Sequence, residues 1–216
     1  MTELNLLCGV ILAAGQSSRM GTDKALLPWP PGRPASDAAP RQTLLAAAIA
    51  ALKPVTAAVI VVAGKNAREL ASVVSACGAL LAVNPDPERG QFSSLQVGLR
   101  EALMRGCDAA MITPVDCPPL RAATLERLRQ QFEQLLAAGF WAVEPEYNGR
   151  HGHPLVAGRE LIDAFLSAPI TDNARQVKHA HEQAIQYVPV DEPLLSVDLN
   201  TPEQYTALSG AARIRS

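Results

Sequence analysis

Residues 6–13, LLCGVILA, are apolar without a break, and Gly15 follows almost at once. A strand wetted on one face alternates polar and apolar residues. One with no polar position is covered on both faces, which is the condition of a strand inside a parallel sheet. The pattern recurs at 57–64 (AAVIVVAG) and 109–116 (AAMITPVD), more briefly at 79–85 (ALLAVNP), and again at 140–148 (FWAVEPEYN). Helical periodicity fills the intervals, at 43–52, 66–77, 93–104 and 121–139. Strand and helix in alternation predict a three-layer α/β fold with a mainly parallel sheet. Past residue 140 the rhythm changes to HPLVAG, a helix at RELIDAFLSA, then AIQYVPV and LSVDLNTPEQYTAL, which reads as a mixed edge of the same sheet. A chain of 216 residues, 48% of them hydrophobic, is thus expected to form one domain over 1–216. Within it, 28–42 carries five prolines and no periodicity, the mark of an irregular loop that is either a surface insertion or a lid, and 209–216 is expected to fray.

Composition excludes several classes of function. The net charge is −2 and the 19 Lys and Arg are scattered, so there is no basic footprint for nucleic acid or an anionic membrane. The apolar runs fall short of the roughly 18 residues that a membrane span needs, and Met1–Leu7 has no basic n-region or cleavage site, so the protein is expected to be cytoplasmic. Cys8, Cys77, Cys107 and Cys117 form no CxxC pair. Their spacing argues against a zinc ribbon or a disulfide framework and fits a reducing compartment, with three of the four read as small apolar fillers.

The first buried run leads directly into LAAGQSSRMGTDK, residues 12–24. A loop at the carboxyl end of the first parallel strand is where open α/β sheets bind ligands, because backbone N–H groups face the crevice there. Two phosphate-binding loops fail on spacing. Five residues rather than four separate Gly15 from Gly21, and the lysine falls two positions late for a P-loop; Ser17 stands where a dinucleotide fingerprint needs its second glycine.

At every defined position the stretch matches L-A-A-G-x-S-x-R-M-G-x-x-K, and in it the chain resembles the molybdenum-cofactor nucleotidyltransferases, the MobA-like NTP transferase family, closer to its cytidylyltransferase branch than to its guanylyltransferase branch. The resemblance implies a Rossmann-like, GT-A-like nucleotidyltransferase fold. It also implies transfer of a nucleoside monophosphate from CTP or GTP to a phosphorylated acceptor such as molybdopterin, with Mg2+ as cofactor, release of pyrophosphate and a molybdoenzyme downstream as partner. The residues agree with this chemistry. Leu12, Ala13, Ala14 and Gly15 let a nucleotide rest against the backbone, Arg19 offers a fork for the β- and γ-phosphates, and Lys24 is a mobile point charge for the α-phosphate.

Other segments extend the resemblance. Asp116, before Cys117 and Pro118, resembles the family's D-x-P metal motif, although an aspartate there also suits the start of the following helix. LLSVDLNTPEQY (194–205) resembles the segment that returns an acidic residue to the metal. Asp198 is the expected second ligand and Asn200 the alternative, with a helix cap at Thr201 as the structural reading. NPDPERGQFSSLQVGL (84–99) resembles the family's nucleotide-binding stretch, which implies that Asn84, Ser93 and Ser94 serve the base or ribose around a turn at Gly90. GRHGHPLV (149–156) resembles the cytidylyltransferase G-H-P segment, and its H-x-H spacing places His151 and His153 on one face as contacts to the acceptor; His179 and His181 are expected to be solvated. Two other readings remain: nucleotidyl transfer to a sugar phosphate or other small-molecule phosphate, and an NTP-binding module without chemistry.

Overall fold

The computed structural model describes residues 6–15, 22–32, 42–169 and 171–212. In chain order the elements are β1 (Leu7–Leu12), β2 (Pro28–Trp29), β3 (Gln42–Thr43), α1 (Leu44–Leu52), β4 (Ala58–Ala63), α2 (Ala67–Ala76), β5 (Leu80–Val83), α3 (Gln91–Met104), β6 (Ala109–Pro114), α4 (Ala122–Ala137), β7 (Ala142–Tyr147), β8 (Arg150–His151), β9 (Leu155–Ala157), α5 (Arg159–Ser167), α6 (Ala174–Ala180), β10 (Ile185–Pro189) and α7 (Pro202–Ala212). The main sheet runs β10-β7-β9-β6-β1-β4-β5, with β8 paired to β7. β1 is parallel to both β4 and β6, β4 to β5, and β7 to β10, whereas β9 lies antiparallel between β6 and β7. The structure is the expected Rossmann-like α/β sheet, and its mixed character comes from the antiparallel β9, which lies inside the sheet, and from β8 on β7.

β1 shows why an unbroken apolar run was required. All six of its residues are buried. Leu7 and Ile11 enter the core formed with α1, α2 and α4, while Cys8, Val10 and Leu12 enter the opposite core with α3 and α5. The side-chain period of two divides one run between two faces. Ligand-binding position also follows from topology: the chain leaves β1 toward β4 and β5 on one side and returns to β6 on the other. That reversal opens a crevice above the carboxyl end of β1.

Three local features differ from the sequence expectations. Cys8 and Cys107, taken as fillers in a chain without a disulfide framework, are joined in a disulfide with their Cα atoms 5.9 Å apart. Their 99-residue separation hides a proximity created when the turn after α3 meets the start of β1. Cys77 and Cys117 are free thiols. The ends of the proline-rich segment pair as the antiparallel ribbon β2–β3, and the Tyr205 hydroxyl of α7 donates to the Pro28 carbonyl, while residues 33–41, on which the lid reading turns, lie outside the described residues. α7 continues to Ala212 rather than fraying from 209, and 213–216 lie outside the described residues.

A buried carboxylate fastens the chain that leads to α7. Glu192 is 4% exposed and accepts hydrogen bonds from Thr124 Oγ1 (2.5 Å), Arg121 Nε (2.9 Å) and the Arg121 backbone N–H (3.3 Å) at the start of α4. That helix has no side-chain cap of its own, so Glu192 supplies negative charge where N–H groups are otherwise unpaired. Glu192→Ala is expected to cost about 2 kcal/mol, read as a lower urea midpoint at unchanged m. On the other face of the sheet, a Cβ built on Gly98 of α3 falls 2.6 Å from Val10 Cγ1 and 2.8 Å from Val62 Cγ2. Gly98→Ala is therefore expected to destabilise by about 1–3 kcal/mol in the same assay, even though alanine favours a helix.

Candidate active site

Beyond β1 the backbone stays in register for one more residue, with Ala13 N–H donating to the Val62 carbonyl at 2.8 Å. Leu12, Ala13 and Ala14 are buried, and no atom of the described residues lies within 4 Å of a Cβ built on Gly15. Asn66, at the start of α2, ties the crevice together. Its Nδ2 donates to the Ala13 carbonyl (2.9 Å) and to Asp23 Oδ2 (2.5 Å), and its Oδ1 accepts from Gly64 N–H (3.0 Å). Asp23 Oδ1 in turn accepts from Ala25 N–H at 2.9 Å, which caps the short 3-10 turn Lys24–Leu26. Two polar side chains thus aim the first residue of that turn, Lys24.

Lys24 Nζ lies 3.2 Å from Asp116 Oδ2 and 2.8 Å from Asn200 Oδ1. Asp116 stands just past the tip of β6, beside β1, and its carbonyl accepts from Leu199 N–H at 2.9 Å, which docks the segment before α7 onto the site. The Lys24 and Asp116 side chains are only 16% and 28% exposed, so their attraction is less screened than that of a surface pair. Above them opens a cavity of about 630 Å3, lined by Leu12, Ala14, Gly15, Asp23, Lys24, Ser94 and Asp116 among others.

Sequence-predicted residues divide on geometry. Lys24 and Asp116 meet at the strand tips beside Leu12, Ala13, Ala14 and Gly15; Arg19 lies outside the described residues. Of the two candidates near 200, Asn200 reaches Lys24. Asp198 is exposed and presents Oδ1 to Cys117 Sγ at 3.7 Å. Burial first, then the carboxylates of Asp116 and Asp198, push the Cys117 thiol far up, which keeps it protonated.

Asn84 was expected to meet the base but is 3% exposed and fully engaged: Nδ2 donates to Ser93 Oγ and Ser94 Oγ, each at 2.9 Å, and Oδ1 accepts from Asp86 N–H at 3.0 Å. These bonds hold the turn that leads into α3. Ser93 Oγ is spent on the Gly90 carbonyl at 2.7 Å, whereas Ser94 faces the cavity. Gly90 itself has φ +90°, a conformation that favours glycine.

Both His151 and His153 border a second cavity of about 760 Å3, which shares Leu12, Gly90 and Gln91 with the first. Their settings differ. His151 stacks on Tyr187 with ring centres 3.6 Å apart, and its Nε2 is 3.3 Å from Glu146 Oε2; His153 is half-buried with its Nδ1 fully covered, and desolvation pushes its pKa down. Away from both cavities, His179 is exposed beside Glu182 and His181 packs against Trp141 with ring centres 4.8 Å apart.

Sequence reading missed Asp23, Asn66, Glu144 and Lys178. Asp23 is one residue before the lysine of the opening motif, where an Asx cap suits a turn, and Glu144 is a carboxylate at an inward position of a strand. Both signals were present locally; their partners were not.

Comparison with known proteins places this geometry. The MobA-like NTP transferase domain matches residues 9–185. The chain is 31% identical over 203 residues, 93% of each protein, to the molybdenum cofactor guanylyltransferase of Xanthomonas euvesicatoria pv. vesicatoria (strain 85-10). It is 26% identical over 197 residues, 91% of this chain and 92% of the relative, to the molybdenum cofactor cytidylyltransferase of Escherichia coli (strain K12). The fold superposes on the crystal structure of Rv0371c from Mycobacterium tuberculosis H37Rv with a TM-score of 0.75 and 25% identity, covering 97% of this chain and 100% of that one. Against the manganese complex of Rv0371c the TM-score is 0.71, at 20% identity, over 95% of this chain and 99% of that one. With a domain match across most of the sheet and a relative 31% identical over nearly its whole length, the chain belongs to the MobA-like NTP transferase family of nucleotidyltransferases.

Proposed function

We propose that this protein transfers a nucleoside monophosphate from CTP or GTP to a phosphorylated acceptor, molybdopterin, in molybdenum cofactor biosynthesis, and releases pyrophosphate. The observation that carries the reading is the convergence of Lys24, Asp116 and Asn200 at the tip of β1, beside a cavity of nucleotide size. Relatives named as molybdenum cofactor guanylyl- and cytidylyltransferases support the acceptor and leave both nucleotides open.

In this reading the nucleotide lies along Leu12, Ala13, Ala14 and Gly15, with Ser94 at its sugar or base. Lys24, steered by Asp23 and Asn200, holds the α-phosphate, and Arg19 takes the departing pyrophosphate. An oxygen of the acceptor phosphate forms a bond to the α-phosphorus as the bond to the bridging α–β oxygen breaks, and the electron pair leaves with pyrophosphate. The attacking phosphate is already ionised at neutral pH, so no general base is needed and positioning supplies much of the rate.

The donor set suits a hard divalent cation such as Mg2+, which takes one or two carboxylates and completes its shell with phosphate oxygens and water. Asp116 uses only Oδ2 on Lys24 among the described residues, which leaves Oδ1 for a metal, and Asp198, whose Oδ1 is 3.7 Å from the Sγ of the neighbouring Cys117, would be the second carboxylate. Asp116 and Asp198 would hold such a cation, which would supply positive charge against that building on the α-phosphate and pyrophosphate.

Incubation with each NTP, Mg2+ and either molybdopterin or sugar 1-phosphates is expected to release pyrophosphate only with molybdopterin and CTP or GTP, and EDTA is expected to stop the release. Turnover on sugar 1-phosphates alone, or tight NTP binding without turnover on any acceptor, would sink the reading. Asp116→Asn and Lys24→Met should each lower kcat by about 10²–10³-fold with an unchanged circular dichroism spectrum. Asn200→Ala should instead raise KM for the NTP more than it lowers kcat, because it removes a guide for Lys24 rather than a charge.

A further inference from the structure

The main sheet ends on β5, and no described residue pairs with the outer side of that strand. Monomeric proteins blunt such an edge with proline, charge or a bulge, because a row of unpaired N–H and C=O groups recruits another strand. At the opposite end of the sheet, β10 carries Pro189. β5 reads LLAV, without a proline or a charge. Four large hydrophobic side chains are exposed among the described residues, and two of them, Leu81 at 36% and Val83 at 53%, belong to this strand.

Backbone direction decides what this edge offers. Asn84 N–H donates to the Ala63 carbonyl of β4 at 2.8 Å, and direction alternates along a strand, so Leu80 and Ala82 also turn their backbone groups toward β4. Leu81 and Val83 turn theirs outward. Leu80 and Ala82 pack into the core formed with α3 and α5, which puts the side chains of Leu81 and Val83 on the α2 face. Each of these two residues therefore combines an outward N–H, an outward carbonyl and an exposed apolar side chain.

We propose that β5 is a homodimer interface, at which a second copy of this chain adds its own β5 in antiparallel to make one continuous sheet. A two-fold axis at Ala82 sets Leu81 opposite Val83 of the second copy, and Val83 opposite its Leu81. Both pairings join residues whose backbone groups face outward, so each is the hydrogen-bonded type of antiparallel pair and exchanges both N–H···O bonds. The leucines and valines then lie side by side on the α2 face. Charge complementarity supports the same register, which sets Gly78 opposite Asp86 of the second copy. Lys53 Nζ, donating to the Cys77 carbonyl at 2.8 Å, stands 3.2 Å from where a Cβ on Gly78 would be. The Asp86 side chain is 55% exposed, with Arg89 Nε 3.9 Å away. An ammonium of one copy thus faces a carboxylate of the other at both ends of the strand pair. Because the strands are antiparallel, the crevices at their carboxyl ends lie at opposite ends of the joint sheet.

Analytical ultracentrifugation of the full chain tests this. A dimer is expected at about 100 μM and a monomer near about 0.1 μM, since a single strand pairing buries less than a large obligate interface. Leu81→Lys changes only an exposed side chain; it should weaken the dimer by about tenfold or more and leave the circular dichroism spectrum unchanged. Lys53→Glu and Asp86→Lys should each weaken association, and the double variant, which restores opposite charges across the axis, should recover most of the loss. Amide hydrogen exchange at Leu81 and Val83 should slow as concentration rises, with Ala82, already bonded to β4, changing little. A monomer at the higher concentration, a dimer indifferent to Leu81→Lys, or a charge swap without recovery would overturn the proposal. So would exchange at Leu81 and Val83 that slows only when an extended apolar peptide is added, which would give the edge to a different chain. None of these measurements needs a nucleotide, so their outcome is independent of the transferase reading.

Discussion

Lys24 joins three parts of the chain that are remote in sequence: its own turn after β1, the tip of β6 through Asp116, and the segment before α7 through Asn200. The rest of the site depends on this meeting. A lysine is a flexible point charge, and left alone it would sample solvent. Here Asp23 caps its turn, Asn66 holds Asp23, and Asp116 and Asn200 receive the ammonium, so little freedom remains. Glu192 anchors the approach to Asn200 from behind, at the start of α4. A cation fixed in advance loses little entropy when a phosphate arrives.

Charge is distributed unevenly between the two chambers. The first is lined by Lys24, Asp23 and Asp116, groups suited to phosphate and a metal; the second pairs Glu144 with Lys178 and adds Arg89, Arg175 and Asp172 to its lining. The two chambers share Leu12, Gly90 and Gln91, at the end of β1 and the start of α3, elements whose close approach Gly98 permits.

Much of this was legible in the order of residues, and the limits have physical causes. A run such as LLCGVILA has few ways to bury every side chain, so the doubly covered strand and its class of sheet follow from local composition. Lys24 and Asp116 were readable because each sits at a strand end, where topology gives a polar residue a crevice to face. Asn84 and Ser93 occupy similar positions but were less legible, since an amide that can meet a base can equally close a turn, and only the neighbours show that it does so here. Cys8 and Cys107 were misjudged for the same reason, 99 residues apart in sequence and bonded in space.

The sequence by itself determined the main strands and helices, the two-faced core and the cationic loop after β1, because hydrophobic period and loop chemistry act over a few residues; the ribbon β2–β3 and the helix α6, which carry no apolar run, emerged only in the tertiary structure. Tertiary structure alone decided that Asn200 rather than Asp198 meets Lys24, that Asn66 holds Asp23, and that a paired Glu144 and Lys178 stand beside an unsatisfied His153. Those facts depend on side-chain partners brought together by strand order. Strand order is set by how whole layers pack, which no short stretch of chain encodes.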